Sequence, residues 1–344
     1  MAIDRKKIKN LDSNNVYQSI SYLPEQVEQV IDDVRKLKFP NTFRNSDLIA
    51  ISGMGGSIYN YSVILSLFDD QLDRPIVLVN GYKMPKRILK DTLFIGSSYS
   101  GDTEETLLTT QEAIKNDDAV TAITGGGKLA QLMKRHKLPF YEFKPRFNPS
   151  NQPRIGLGYM VFGPIMILNN LGYLQIQVAK LKKSLQKLRD LDEKIQNDAY
   201  SLVSKIRDKM IILIGAEHLQ GNIHIARNQF NETAKTYAEY HLIPELNHHL
   251  IEGLTYPKNK HMVFLFYNSS FFYKRNQERL AITNQVLKKQ LFDCIDIKVD
   301  AVDKLEEFLL IMQFNSYLSF FLGIEYGVDP SKIPWVDYFK KQLS

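Results

Sequence analysis

The sequence predicts an α/β protein of two doubly wound parallel-sheet units with a carboxy-terminal helix. Three observations predict it. Short β-branched runs alternate with helical stretches, the pattern of a parallel sheet covered on both faces. That alternation occurs twice along the chain, separated by a long charged helical stretch. Turns rich in glycine or hydroxyl groups stand directly behind two strands of the first half.

Residues 1–40 form a helical lead-in, with one amphipathic helix over 22–38 (Leu23, Val27, Val30, Ile31, Val34, Leu37). The first unit occupies 41–180. Its strands are 47–52, 75–79, 92–97, 119–124 and 140–143, with helices over 58–68, 103–115 and 128–135 between them and another starting near Arg154. A charged helix over 177–195 leads to the boundary near 180–205. The second unit, 205–344, has strands at 210–215, 262–267 and 294–299, and helices at 221–235, 277–290 and 302–326. After the turn Gly327-Val328-Asp329-Pro330 a final helix runs over 334–343.

Hydrophobic residues make up 44% and charged residues 24%, which fits an ordinary globular chain and not a disordered one. The lone Cys294 excludes an intramolecular disulfide and a multi-thiolate metal site, and its strand context reads as a buried, inert thiol. Residues 1–15 are polar and lack the apolar core of a secretory leader. The apolar run 155–168 is about fourteen residues and contains Pro164, short of the roughly 20 that span a bilayer. The run 308–324 is broken by Gln313, Asn315, Ser316 and Ser319. Both read as buried helices, so the expectation is a soluble cytoplasmic protein with no membrane contact. The net charge of +6 favours anionic partners. The lysines are dispersed, however, and the densest run, 180–183, is the solvated face of a helix, so no nucleic-acid surface is expected.

Four segments carry candidate chemistry. Gly53-Met54-Gly55-Gly56-Ser57 ends a strand and opens a helix, where amides and the helix dipole favour an anion. A tight turn needing glycine φ angles explains it equally well. It is not a dinucleotide fingerprint, since Ile58 stands where the third glycine belongs, and no Gly-Lys-Ser/Thr follows. The segment Ser98-Tyr99-Ser100-Gly101-Asp102-Thr103 speaks more clearly. Ser98, Ser100, Thr103 and Thr106 converge at a strand-to-helix turn, and a helix cap needs one hydroxyl where this turn has several. A phosphate monoester fits. Third, Asn231-Glu232-Thr233-Ala234-Lys235 and Pro244-Glu245-Leu246-Asn247-His248-His249 supply a carboxylate and an imidazole, the residue types that move protons on a sugar. Taken alone, Glu232 reads as a surface charge and His248 as a loop histidine. Adjacent histidines rarely share a metal, and no His-Glu-x-x-His is present. Fourth, Arg154 follows Pro153, where a guanidinium could stabilise an enediolate oxygen, although spacing alone makes it a surface arginine.

Taken in order, these segments resemble the sugar isomerase (SIS) domain superfamily, and within it the bifunctional phosphoglucose/phosphomannose isomerases. The turn at 327–330 and Lys340 extend the resemblance over roughly 50–340, nearly the whole chain. It implies two doubly wound domains in a homodimer, with the active site close to the partner subunit. It implies that Gly55, Gly56, Ser57, Ser98, Ser100 and Thr103 hold the phosphate of a phosphorylated hexose. Glu232 would carry a proton between C1 and C2, Arg154 would stabilise the cis-enediol, His248 would open the ring, and Lys340 would lie near the sugar. No metal or other cofactor is implied. The implied reaction interconverts glucose 6-phosphate and fructose 6-phosphate, and mannose 6-phosphate as well. A non-catalytic sugar-phosphate sensor is the alternative. Such regulators carry a helix-turn-helix, for which the first 45 residues are too short. An amino-sugar phosphate isomerase is a third option, although its synthase form needs an amino-terminal cysteine that is absent. The chain departs from the family at Asp102, where asparagine is usual, and at Ile58, where a small residue is usual. It departs again at Ser331-Lys332-Ile333, which lacks the threonine associated with dual use.

Overall fold

The computed structural model describes residues 3–343 except 87, 89, 90, 117 and 260. Two compact units follow from the contacts: Tyr22–Gln186, and Lys187–Ser344 together with Met1–Ser21. Among the described residues up to 40 there are three helices where one was expected: α1 (Arg5–Leu11), α2 (Val16–Ser21) and α3 (Leu23–Val34). The two short ones are specified by side-chain caps. Asp4 accepts from the Lys7 amide, and the two oxygens of Asp12 take the amides of Val16 and Tyr17.

In the first unit the chain runs β1 (Leu48–Ser52), α4 (Tyr59–Leu67), β2 (Ile76–Val79), β3 (Thr92–Ser98), α5 (Glu104–Lys115), β4 (Ala119–Thr124), α6 (Gly127–Arg135), β5 (Tyr141–Glu142) and α7 (Leu157–Leu171). The sheet is parallel throughout, in the order β2-β1-β3-β4-β5. Every residue of β3 is buried, as a strand covered on both faces requires. One face packs Ala50, Phe94, Val120 and Ala122 against Ala113 of α5 and Leu129 and Met133 of α6. α4 packs on α7, and α7 packs on α3. Gly158 of α7 allows the approach of α3, since a Cβ there would sit 2.3 Å from that of Gln26.

α8 (Val178–Ile206) is longer than the sequence pattern suggested, and its residues beyond Gln186 belong to the second unit. That unit continues with β6 (Met210–Gly215), α9 (Gln220–Glu232), β7 (Ala238–Leu242), α10 (Leu250–Gly253), β8 (Met262–Tyr267), α11 (Lys274–Lys289), β9 (Asp293–Ile297), α12 (Lys304–Glu325) and α13 (Pro334–Leu343). Its sheet is also parallel, ordered β7-β6-β8-β9. β7 escaped the sequence reading because Ala-Glu-Tyr-His-Leu is an edge strand, mostly half-exposed, without an apolar run. α12 is long and apolar enough to cross a membrane by length and composition, yet it is buried as the core helix of this unit. Three of its polar side chains find partners within the unit: Ser316 with Gln229, Asn315 Oδ1 with Tyr267 and Gln313 Nε2 with Asp192. Cys294 lies half-buried in β9, and burial pushes its thiol up to about 11.

Candidate functional site

From β1 the first sheet grows outward to β2, then returns to place β3 on the other side of β1. The crevice at the carboxyl ends of β1 and β3 is therefore the switch point, where open α/β sheets bind ligands. Both turns singled out in the sequence leave from it.

The first turn folds back tightly behind β1. A Cβ on Gly53 would meet the Ser57 carbonyl at 2.7 Å, and Gly55 takes φ +53°. Ser57 is buried, and its Oγ accepts from the Tyr99 amide at 3.2 Å, tying this turn to the next. Asn60 completes the tie, its amide reaching the Ser57 carbonyl, Ser97 Oγ and the Met160 carbonyl at 2.9–3.1 Å. Sequence reasoning passed over Asn60. A buried-type polar residue just behind a glycine cluster was the available signal.

In the second turn Thr103 occupies the N-cap position of α5 without capping it. Its hydroxyl instead meets Ser98 Oγ at 2.9 Å, and Ser98 Oγ also accepts the Gly101 amide at 3.1 Å. Ser100 Oγ accepts the Asp102 amide at 3.3 Å. The hydroxyls grade from buried Ser98 through half-buried Thr103 to exposed Ser100, a floor, wall and rim. Thr106 is fully buried in the core side of α5. Because Thr103 leaves α5 uncapped, its first-turn amides and dipole are directed at this crevice.

The position of Asp102 has a physical cause. Its Oδ1 accepts the Lys128 amide at 3.0 Å, so the carboxylate caps the amino terminus of α6. The negative charge is balanced by that helix dipole and is turned toward α6. Gly101 permits this, with φ +78° and its carbonyl accepting the Leu129 amide at 2.9 Å.

Arg154 precedes α7 in a turn, where the sequence had placed it at the helix start. It is only 2% exposed, and its Nη1 donates to Gln152 Oε1 at 2.9 Å. Its backbone lies against the first turn: a Cβ on Gly56 would be 3.5 Å from the Arg154 amide nitrogen. A buried guanidinium beside these turns biases the crevice toward anions. Gly55, Gly56, Ser57, Ser98, Ser100, Thr103 and Arg154 are thus brought together in the first unit.

The second unit holds the remaining candidates. Glu232 is the half-buried last residue of α9. His248 is exposed, at the end of a 3-10 turn, Glu245–His248, that follows β7. Lys340 is exposed on α13. Because α9 runs back against its strand, Glu232 lies at the amino-terminal edge of the sheet and His248 at the carboxyl-terminal edge. The five residues of β7 stand between them, about 13 Å of strand at about 3.3 Å per step. The structure does not bring these two together within one unit.

The switch point of the second sheet, between β6 and β8, is filled by the unit's own side chains. His218 Nε2 and Ser269 Oγ both meet Glu307 Oε2, at 2.7 and 2.6 Å, with His218 and Glu307 each 1% exposed.

Two parallel doubly wound sheets with a hydroxyl-lined turn at one switch point define a two-unit α/β protein with a candidate anion site. Residues 195–343 match the model of the bacterial phospho-glucose isomerase C-terminal SIS domain. A bifunctional phosphoglucose/phosphomannose isomerase of Caldicellulosiruptor bescii is 27% identical over 96% of this chain and 99% of its own. One of Aquifex aeolicus is 29% identical over 86% and 90%. Among solved structures, a hypothetical protein of Thermus thermophilus superposes with a TM-score of 0.76 at 16% identity, covering 98% of this chain and 92% of the other. A tagatose-6-phosphate ketose/aldose isomerase of Escherichia coli gives 0.73 at 14% identity, covering 93% and 96%; both superpositions speak for the fold. Over nearly its whole length the chain is similar to bifunctional phosphoglucose/phosphomannose isomerases, and the SIS-domain match covers its second unit.

Proposed function

We propose that this protein is an aldose–ketose isomerase interconverting glucose 6-phosphate and fructose 6-phosphate, and mannose 6-phosphate as well, through a cis-enediol. The observation that carries the reading is the paired turn at the first switch point, where Ser57, Ser98, Ser100 and Thr103 surround an uncapped helix terminus beside buried Arg154. Relatives covering nearly the whole chain bear the isomerase name.

In this proposal the cradle anchors the phosphate by hydroxyls and amides. His248 moves the ring proton that frees the carbonyl. Glu232 then removes the C2 proton of the open aldose, and the electron pair moves toward O1 to give the enediolate, stabilised by Arg154. Returning that proton to C1, while the hydroxyl proton passes from O2 to O1, yields the ketose. Atoms and charge balance, and no cofactor enters.

The separation of Glu232 and His248 on opposite edges of one sheet supports a homodimer in which His248 comes from the second copy. A proton-transfer group must approach to about 3 Å, far less than the span of β7. Lys340 belongs with Glu232, since α13 starts from the same edge. A charged hexose phosphate does not cross a bilayer unaided, which supports a cytoplasmic location.

A coupled assay with fructose 6-phosphate tests this, using wild type, Glu232→Gln, His248→Ala and an equimolar remixed pair of the two variants. Glu232→Gln is expected to lose at least about a thousandfold in kcat and His248→Ala about a hundredfold. The mixture should recover up to a quarter of wild-type activity through sites with one intact half from each copy. A wild type that binds the sugar phosphate without turning it over would sink the enzyme reading. Full activity in Glu232→Gln would remove the assigned base, and no recovery on mixing would remove the shared site.

A further inference from the structure

Behind Glu232 the chain turns through Thr233, Ala234 and Lys235 into β7, and this turn is fastened from three sides. The amides of Thr233 and Ala234 both reach back to the Gln229 carbonyl, at 2.7 and 3.4 Å. On α12, Gly323 lies so close to the Thr233 carbonyl that a Cβ would approach to 2.8 Å, and only glycine leaves room. The third fastening is Lys235. Its φ of +55° is a left-handed conformation that lysine rarely adopts, and its side chain returns across the turn. The Nζ donates to the Thr233 carbonyl at 3.3 Å and to the Asp329 carbonyl at 2.9 Å.

Asp329 belongs to the turn from which α13 starts. Its carboxylate is held by Ser13 Oγ at 2.7 Å and by the amide and hydroxyl of Ser331 at 2.9 and 2.6 Å. Burial opposes that charge, and these donors outweigh it, keeping the carboxyl below its usual range. Asn14 adds a bond to Ser331 Oγ at 2.8 Å. The turn is therefore rigid, and Lys235 fastens it to the carbonyl next to Glu232. One ammonium joins the segment bearing the proposed base to the segment that leads to Lys340.

We propose that Lys235 is a positioning residue for the isomerisation, setting the Glu232 carboxylate and the start of α13 as a single rigid piece. It acts through the backbone and does not touch the sugar. The proposal rests on Glu232 being the base. Its expected size follows from geometry: a reacting group misplaced by about 1 Å costs on the order of a hundredfold in rate.

The test compares full-length wild type, Lys235→Met and Lys235→Arg with fructose 6-phosphate, alongside thermal melts. Lys235→Met is expected to lose about 30- to 100-fold in kcat, with KM within about threefold and little change in melting temperature. Lys235→Arg, which keeps donors for both carbonyls, should return to within about fivefold of wild type. In a Glu232→Gln background, Lys235→Met should cost less than about threefold more, because there is no base left to misplace. An unchanged kcat in Lys235→Met, or the same fold-loss in both backgrounds, overturns the proposal while leaving the isomerase reading intact. A wild type that binds fructose 6-phosphate without isomerising it overturns both.

Discussion

Replacing Gly101 with alanine is expected to push the hydroxyl turn out of its crevice and so weaken phosphate binding and stability together. The added Cβ would lie 1.9 Å from the Gly126 carbonyl oxygen and 2.8 Å from Thr124 Oγ1, against ordinary contact near 3.5 Å. Neither neighbour is the free end of a flexible chain. The turn must therefore move away from the β4–α6 junction. Such overpacking costs about 1–3 kcal/mol. Holding alanine at φ +78° adds about 1–2 kcal/mol. The bonds from Leu129 to the Gly101 carbonyl and from Gly125 to the Tyr99 carbonyl, both 2.9 Å, contribute about 1 kcal/mol each if broken. With both bonds broken the sum is roughly 4–7 kcal/mol, which lowers the melting of the first unit by about 8 °C or more. Gly55→Ala is the matched control: it also has positive φ, at +53°, but nothing within 4 Å of its Cβ, so only about 1–2 kcal/mol of backbone strain applies. Calorimetry gives the melting temperatures, and titration with inorganic phosphate gives the affinities. If Gly101→Ala melts within about 2 °C of wild type, or no lower than Gly55→Ala, the close-approach argument is wrong.

Two further outcomes follow from the same geometry. Asp102→Asn keeps an oxygen for the Lys128 amide but loses the charge facing the α6 dipole, so it should cost about 0.3–1 kcal/mol in a melt. Its phosphate affinity should stay within about threefold of wild type, and a tenfold loss would show that Asp102 serves the ligand after all. Burial, with Arg227 adding to it, pushes His224 down to about 4 from an ordinary 6.5. The unfolded chain then binds this proton between about pH 6.5 and 4 while the folded chain does not, so stability falls as pH falls through that window. The loss amounts to roughly 3 kcal/mol at its full extent. Unfolding titrations at pH 7 and pH 4.5 should show His224→Gln with a visibly smaller pH-dependent loss than wild type; equal losses would refute the assignment.

Much of this protein was determined by local rules in its sequence. Runs such as Leu48–Ile51 and Met210–Gly215 are apolar because the inner strands of a parallel sheet are buried on both faces, so they stand out without any knowledge of their neighbours. The hydroxyl turn behind β3 was legible for a related reason: strand, glycine and helix lie within one short segment, and its geometry is local. Elsewhere the deciding partner is remote in sequence. Edge strand β7 has no inner-strand pattern, and only pairing with β6 reveals it. Asp102 stood out in the sequence only as a departure from the usual asparagine, and its partner, Lys128, lies 26 residues away. Asn60 draws its meaning from contacts with Ser97 and Met160. Arg154 looks like a surface arginine in sequence, and burial reverses that. Glu232 and His248 are close in sequence and read as a pair, yet β7 sets them at opposite edges of its sheet. Periodicity and turn chemistry travel with the segment that encodes them. Burial, long-range hydrogen bonds and the distance between two catalytic candidates exist only once the strands have been ordered, and those were left to the tertiary structure.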